Sequence, residues 1–278
     1  MSPRRGAASP VAAGRPDPRV AAFLEEVLAA CGGARRLRSD PLAVVVGFPE
    51  PADRELAALV CSTLAFGSVG PIVRACREAL APLGPRPAAA LDALRDADIA
   101  GTWSAFQYRY CFGGDMASLM LAARRARSEA GSLLGYFRRG DPGGPDVAAA
   151  ASAFARGLAE LGRDLGGIRP GLLADPARGS ACKRLFLMLR WLVRKDGVDP
   201  GGWEEVGRSR LVVPLDTHMA RICAERLRFI PSPAATLRNA LAATAAFRLY
   251  APDDPVRYDF ALTRPGIDPD PGDERFGC

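Results

Sequence analysis

The chain has 278 residues, 49% of them apolar and 24% charged, which is enough of both to bury a sizeable core and excludes a low-complexity or fibrous polypeptide. Its 37 Lys and Arg against 31 Asp and Glu give a formal charge of +6, and arginine far outnumbers lysine. That balance fits a nucleic-acid partner, since arginine meets phosphate as a bidentate fork, but a GC-rich coding sequence produces the same excess.

No apolar run of about 18 residues offers a membrane span, and no secretory h-region is present. The expectation is therefore a cytoplasmic protein with no membrane partner. Seven cysteines, Cys31, Cys61, Cys76, Cys111, Cys182, Cys223 and Cys278, are scattered without a C-x-x-C pair. They read as buried, reduced thiols rather than zinc or iron–sulfur ligands, so no metal or other cofactor is expected.

Residues 1–18, rich in Pro, Gly, Ala and Ser, predict a disordered tail in which Arg4, Arg5 and Arg15 could touch a polyanion. Residues 19–278 read as a single unit without a clean linker. Ala, Leu and Arg dominate it and strand-favouring runs are scarce, so the predicted fold is all-α; only AVVVGF at 43–48 reads as a strand.

A first helix is expected over 19–31, with Val20, Phe23, Leu24 and Val27 on one face. A second opens at Asp53, carries Leu56, Leu59, Val60 and Leu64, and ends before Gly67. Gly70-Pro71 starts another, to about Leu80. Helices over 88–94 and 100–110 follow, the latter bearing Trp103, Phe106, Tyr108 and Tyr110, which read as core rather than as a base-stacking surface. Asp115 is the expected N-cap of a helix to Glu129, with Arg124, Arg125 and Arg127 on its solvated face.

Further on, 132–137 is a short helical turn, the glycine- and proline-rich 140–146 a flexible loop and hinge, and 147–161 a helix. The helix headed by Lys183 has Leu185, Met188, Leu189 and Leu192 on one stripe. Residues 203–206 form a short helix and 211–213 an extended piece, because Pro214 biases its predecessor away from helix. Asp216 opens a helix to about Leu227. Ser232-Pro233 and Asp254-Pro255 are expected to start helices running to Tyr250 and through Leu262.

Two residues stand apart chemically. Lys183 sits in the first turn of its helix, where the dipole disfavours a cation, in a protein whose only other lysine is Lys195. A lysine kept where arginine is the default points to an amine that can lose its proton and act as a nucleophile. Asp216 stands at a helix start. It can be a plain N-cap, or a carboxylate fixed and partly buried for catalysis; Met219 at the third helical position gives no capping box.

The segment Leu215-Asp216-Thr217-His218-Met219-Ala220-Arg221 resembles the V-D-T-H segment of the helix-hairpin-helix DNA glycosylases, the endonuclease III group. Gly179-Ser180-Ala181-Cys182-Lys183 resembles the last five positions of their hairpin, L-P-G-V-G-R-K. Val60-Cys61-Ser62-Thr63-Leu64-Ala65 resembles their L-L-S-A-Q-A, with Leu64 at the position of the glutamine that fills the gap left by a flipped base. The departures are Ala181 for the second hairpin glycine, Ala177-Arg178 for the leading Leu-Pro, and no C-terminal four-cysteine motif. Lys183 and Asp216 are 33 positions apart, similar to the archaeal 8-oxoguanine glycosylases, which also lack the cluster. From about Asp40 to Leu262 the chain resembles a bacterial family distantly related to these enzymes.

The resemblance implies a two-lobed helical bundle with a degenerate hairpin and a cleft between the lobes. It implies a monomeric bifunctional DNA glycosylase and AP lyase acting on double-stranded DNA with a damaged base or abasic site, an oxidised purine by the spacing. Lys183 and Asp216 would be catalytic and His218 supporting. Gly179, Ser180, Cys182, Arg184, Arg221 and Leu64 would contact DNA, the first three through backbone N–H groups. Two other classes stay open: a non-catalytic DNA-binding protein that keeps the fold, and a helical enzyme of small molecules in which Asp216 is only a cap.

Overall fold

The computed structural model describes residues 15–276. Most of the expected tail, with Arg4 and Arg5, and also Cys278, lie outside them. The described residues are overwhelmingly helical, and their only strands are two-residue pieces. The all-α expectation holds at that level. Among the described residues no helix is long and apolar enough to cross a membrane.

Helix α1 (Pro18–Cys31) begins where Asp17 accepts the Arg19 N–H at 2.8 Å, with proline at the first helical position. Helices α2 (Leu42–Val46), α3 (Pro51–Thr63) and α4 (Val69–Leu80) follow. The expected strand at 43–48 is therefore a helical turn. Its three valines favour a strand locally, but among the described residues no neighbouring strand satisfies their backbone groups, and the Asp40 carboxylate takes the Leu42 N–H at 2.9 Å instead. α3 is buried from Leu56 through Thr63 and is the central element of the core.

Helices α5 (Pro87–Ala93) and α6 (Asp96–Thr102) lead to a hairpin, β1 (Gln107–Tyr108) and β2 (Cys111–Phe112). The predicted helix over 100–110 thus stops early. Trp103 turns inward to donate its indole N–H to the Ala79 carbonyl at 2.8 Å, and Arg109 is left-handed at φ 52°. Helix α7 (Gly113–Ala130) starts before Asp115, whose carboxylate reaches back to the Phe112 N–H at 2.9 Å from inside the first turn. Arg127, expected on the solvated face, is buried against Asp92 of α5 at 2.7 Å.

Helices α8 (Leu133–Arg139) and α9 (Ala148–Leu161) bracket the loop 140–146, and α10 (Lys183–Val193) packs along α3. Helix α11 (Thr217–Arg221) runs into a wider, π-type turn over Ile222–Arg226.

Helix α12 (Leu237–Arg248) starts four residues later than Ser232-Pro233 suggested. Asn239 holds the Ser232 and Ala234 carbonyls at 3.1 and 2.8 Å, and the backbone at 235–237 pairs with 179–181 instead of coiling. Helix α13 (Asp259–Ile267) also starts late, because the Asp254 carboxylate binds Arg194 at 3.0 Å rather than capping a helix.

Candidate active site at the Lys183–Asp216 pair

Lys183 is the first residue of α10, preceded by Cys182 in a left-handed conformation at φ 45°. That backbone costs a side-chain-bearing residue on the order of 1 kcal/mol. The Cys182 carbonyl is kept in place by accepting the Leu185 and Phe186 N–H groups at 3.0 and 3.2 Å. Asp216 ends the extended, fully buried stretch Leu211–Leu215, where the Val213 N–H donates to the Thr244 hydroxyl at 3.0 Å.

The two side chains meet. Asp216 Oδ1 accepts the Met219 N–H at 2.8 Å as the N-cap of α11, and Oδ2 lies 3.4 Å from Lys183 Nζ. The carboxylate is cap and ion-pair partner at once, one oxygen for each. Both side chains are about 30% exposed, 31% for Lys183 and 27% for Asp216, so each is shielded yet reachable from a pocket of about 1030 Å³ that both line.

Beneath the pair the pocket has a charged floor. Asp259, on α13, accepts Arg190 Nη1 at 2.5 Å; Arg190 also holds Asp199 at 3.1 Å, and Arg264 meets Asp40 at 3.1 Å. Burial pushes the Asp259 carboxyl above its ordinary range, with Arg190 acting against it. Removing one partner from such a buried set costs about 3–5 kcal/mol, so this floor is a rigid base under the pair. Sequence reading missed Asp259 and Arg190. The available signal was a charge in the middle of the apolar run 185–193.

The other expected contacts divide. Arg184 lines the pocket, donating Nη1 to the Thr63 carbonyl at 2.9 Å and Nη2 to the Gly171 carbonyl, with its guanidinium 5.2 Å from the Phe66 ring centroid. Burial lowers its pKa. Ser180 and Cys182 line the pocket as well. Of the N–H groups expected to meet a phosphate, those of Gly179, Ala181 and Cys182 are bonded within the protein, to the Pro176 and Ala235 carbonyls and the Ser180 hydroxyl, at 2.8, 3.4 and 3.3 Å.

Leu64 is fully buried and points into the core, so it cannot reach a gap in a duplex; Thr63, Ala65 and Phe66 line the pocket there. Arg221 is exposed on α11 and does not line the pocket. His218 packs on the backbone of α13 at Gly266, where a Cβ would lie 2.2 Å from the imidazole.

The model of one family, described as "Protein of unknown function (DUF2400)", matches residues 40–268. The chain belongs to the DUF2400 family. Comparison with curated proteins and with solved structures gives no match. The DUF2400 span holds the whole site, from Asp40 on the floor through Lys183 and Asp216 to Arg264.

Proposed function

We propose that the protein is a bifunctional DNA glycosylase and AP lyase that removes a damaged base, an oxidised purine on the sequence resemblance, through a Schiff base on Lys183. On this reading the pocket is the cleft between two lobes of a glycosylase-type bundle, and 179–182 is the remnant of its hairpin. The single observation that carries it is Lys183 Nζ held 3.4 Å from Asp216 Oδ2 on the wall of one pocket.

The chemistry follows from the two groups. Asp216 Oδ2 takes a proton from Nζ, and the freed amine bonds to the sugar C1′. The glycosidic bond breaks, its electron pair leaving with the base, which picks up a proton. Asp216 offsets the positive charge that develops on the sugar. The ring opens to an imine on Nζ; loss of a C2′ proton then expels the 3′ phosphate, and water releases the lysine. The nucleotide must first leave the stack, which costs roughly a few kcal/mol and favours damaged pairs.

The test is borohydride trapping on duplex DNA carrying an abasic site or 8-oxoguanine. Wild type should form a covalent adduct and Lys183→Gln none. Asp216→Asn should trap far more slowly at nearly unchanged stability, since asparagine caps a helix as well as aspartate does. Absence of an adduct on every substrate defeats the reading. A second reading, a DNA-binding protein that has kept the fold without the chemistry, is favoured by the degenerate hairpin, in which Ala181 stands for the second glycine and Ala177-Arg178 for the leading Leu-Pro. Salt-sensitive duplex binding without trapping would select it.

A further inference from the structure

We propose that Tyr110 is a stacking platform for an unpaired nucleobase at the mouth of the Lys183–Asp216 pocket, backed by Phe66 and Arg184. The proposal rests on the DNA partner of the reading above, not on its chemistry.

The aromatic cluster at 103–110 splits in the fold. Trp103, Phe106 and Tyr108 are 1%, 6% and 8% exposed, whereas Tyr110 is 45% exposed and lines the pocket. It occupies the two-residue tip of the β1–β2 hairpin beside left-handed Arg109. One face of its ring is already stacked on Phe66, with centroids 4.4 Å apart and planes 18° from parallel.

The hairpin is tied down on each side. The Tyr108 hydroxyl donates to the Phe66 carbonyl at 2.6 Å, and Arg169 Nη1 donates to the Tyr110 carbonyl at 3.0 Å. A ring fixed in this way surrenders little freedom when a ligand stacks on it.

The charge around the ring selects the ligand. Arg184 lies over the Phe66 ring on which Tyr110 is stacked, and among the described residues it is in no ion pair. Arg109, also in no ion pair among the described residues, lies flat on Gly67, where a Cβ would be 2.6 Å from its guanidinium carbon. Two cations without carboxylates around the stacked Phe66–Tyr110 pair suit a planar, electron-rich ring carried on a polyanion. An unpaired nucleobase is that ligand, and ring stacking with flanking arginine is how single-stranded nucleic acid is gripped.

The test is equilibrium binding by fluorescence anisotropy, with Lys183→Gln as parent so that no turnover intervenes. The probes are a short duplex bearing one tetrahydrofuran abasic site and the same duplex intact. Tyr110→Phe should retain affinity for the abasic duplex, and Tyr110→Ala should lose on the order of 5- to 150-fold. The intact duplex should be bound alike by all three, and the salt slope should not change, since a neutral ring releases no counterions.

Equal binding of the abasic duplex by Tyr110→Ala and the parent, at matched melting temperatures, overturns the proposal. So does an equal loss on both duplexes, or a parent that binds neither. Trapping by wild type combined with indifference to Tyr110→Ala defeats this proposal alone. Tyr110-dependent binding without trapping defeats the glycosylase chemistry alone.

Discussion

Asp216 shows how one side chain serves two roles that looked like alternatives. Its helix-start position fits both a cap and a functional carboxylate, and the structure gives Oδ1 to the Met219 N–H and Oδ2 to Lys183. What fixes its helix from the other side is His218 lying on Gly266. The space for the imidazole exists only because position 266 has no Cβ. Gly266→Ala should therefore destabilise the protein by about 1–3 kcal/mol, as overpacking does. The same substitution in a His218→Ala background should cost clearly less. Denaturant midpoints of the four proteins measure this coupling, and additive costs would show that the ring does not set the packing there.

At the scale of elements, tertiary partners overruled local signals in a consistent way. Asp254 and Ser232 looked like caps, and each helix starts later because the Asp254 carboxylate, or the backbone that follows Ser232, was claimed from outside. The loop 140–146, expected to be a flexible hinge, is held by Arg210. That guanidinium binds both Asp141 oxygens at 2.7 and 2.8 Å and donates to the Gly144 carbonyl at 3.0 Å.

The Arg210 bonds hold the Asp141 carboxyl below the usual aspartate range. Its pKa is thus lower folded than unfolded, so the pair contributes stability above the unfolded value, and that contribution is lost as pH falls through the folded one. Wild type should exceed Asp141→Asn in stability at about pH 6, and the gap should close towards about pH 3. Chemical denaturation across that range checks it; a gap independent of pH would show that the ion pair contributes nothing.

Over the whole molecule, a subset of the arginines is internal. Arg36, Arg127, Arg190, Arg194 and Arg264 are buried, and each is paired with one or more carboxylates. Five of the arginines that suggested a polyanion surface thus belong to a framework of buried ion pairs, whereas others, Arg109, Arg184 and Arg221 among them, are not fully buried.

The described cysteines are all buried as well. Burial and the nearby Asp273 push Cys31 up to about 11, and burial and Asp115 push Cys111 up to about 12. A thiol disulfide-exchange reagent at about pH 8 should leave Cys31 and Cys111 unmodified in the folded protein and label both on unfolding, because the thiolate is the reactive form. Mass mapping of the labelled peptides reads this directly, and fast native labelling of either would contradict the packing.

The sequence by itself determined the helical class, the apolar stripes of α3 and α10, the extended run before Pro214, and the positions of Lys183 and Asp216 at two helix starts. These rest on interactions within a turn or two of chain: periodicity, capping and the restriction imposed by proline. Only the tertiary structure decided that those two residues, 33 positions apart, share one pocket. It also decided that Asp259 and Arg190 lie under them, that Leu64 turns inward, and that Tyr110 alone of its cluster faces out. Each of these depends on which surfaces pack together, and a local pattern carries no record of the partner that a side chain meets across the core.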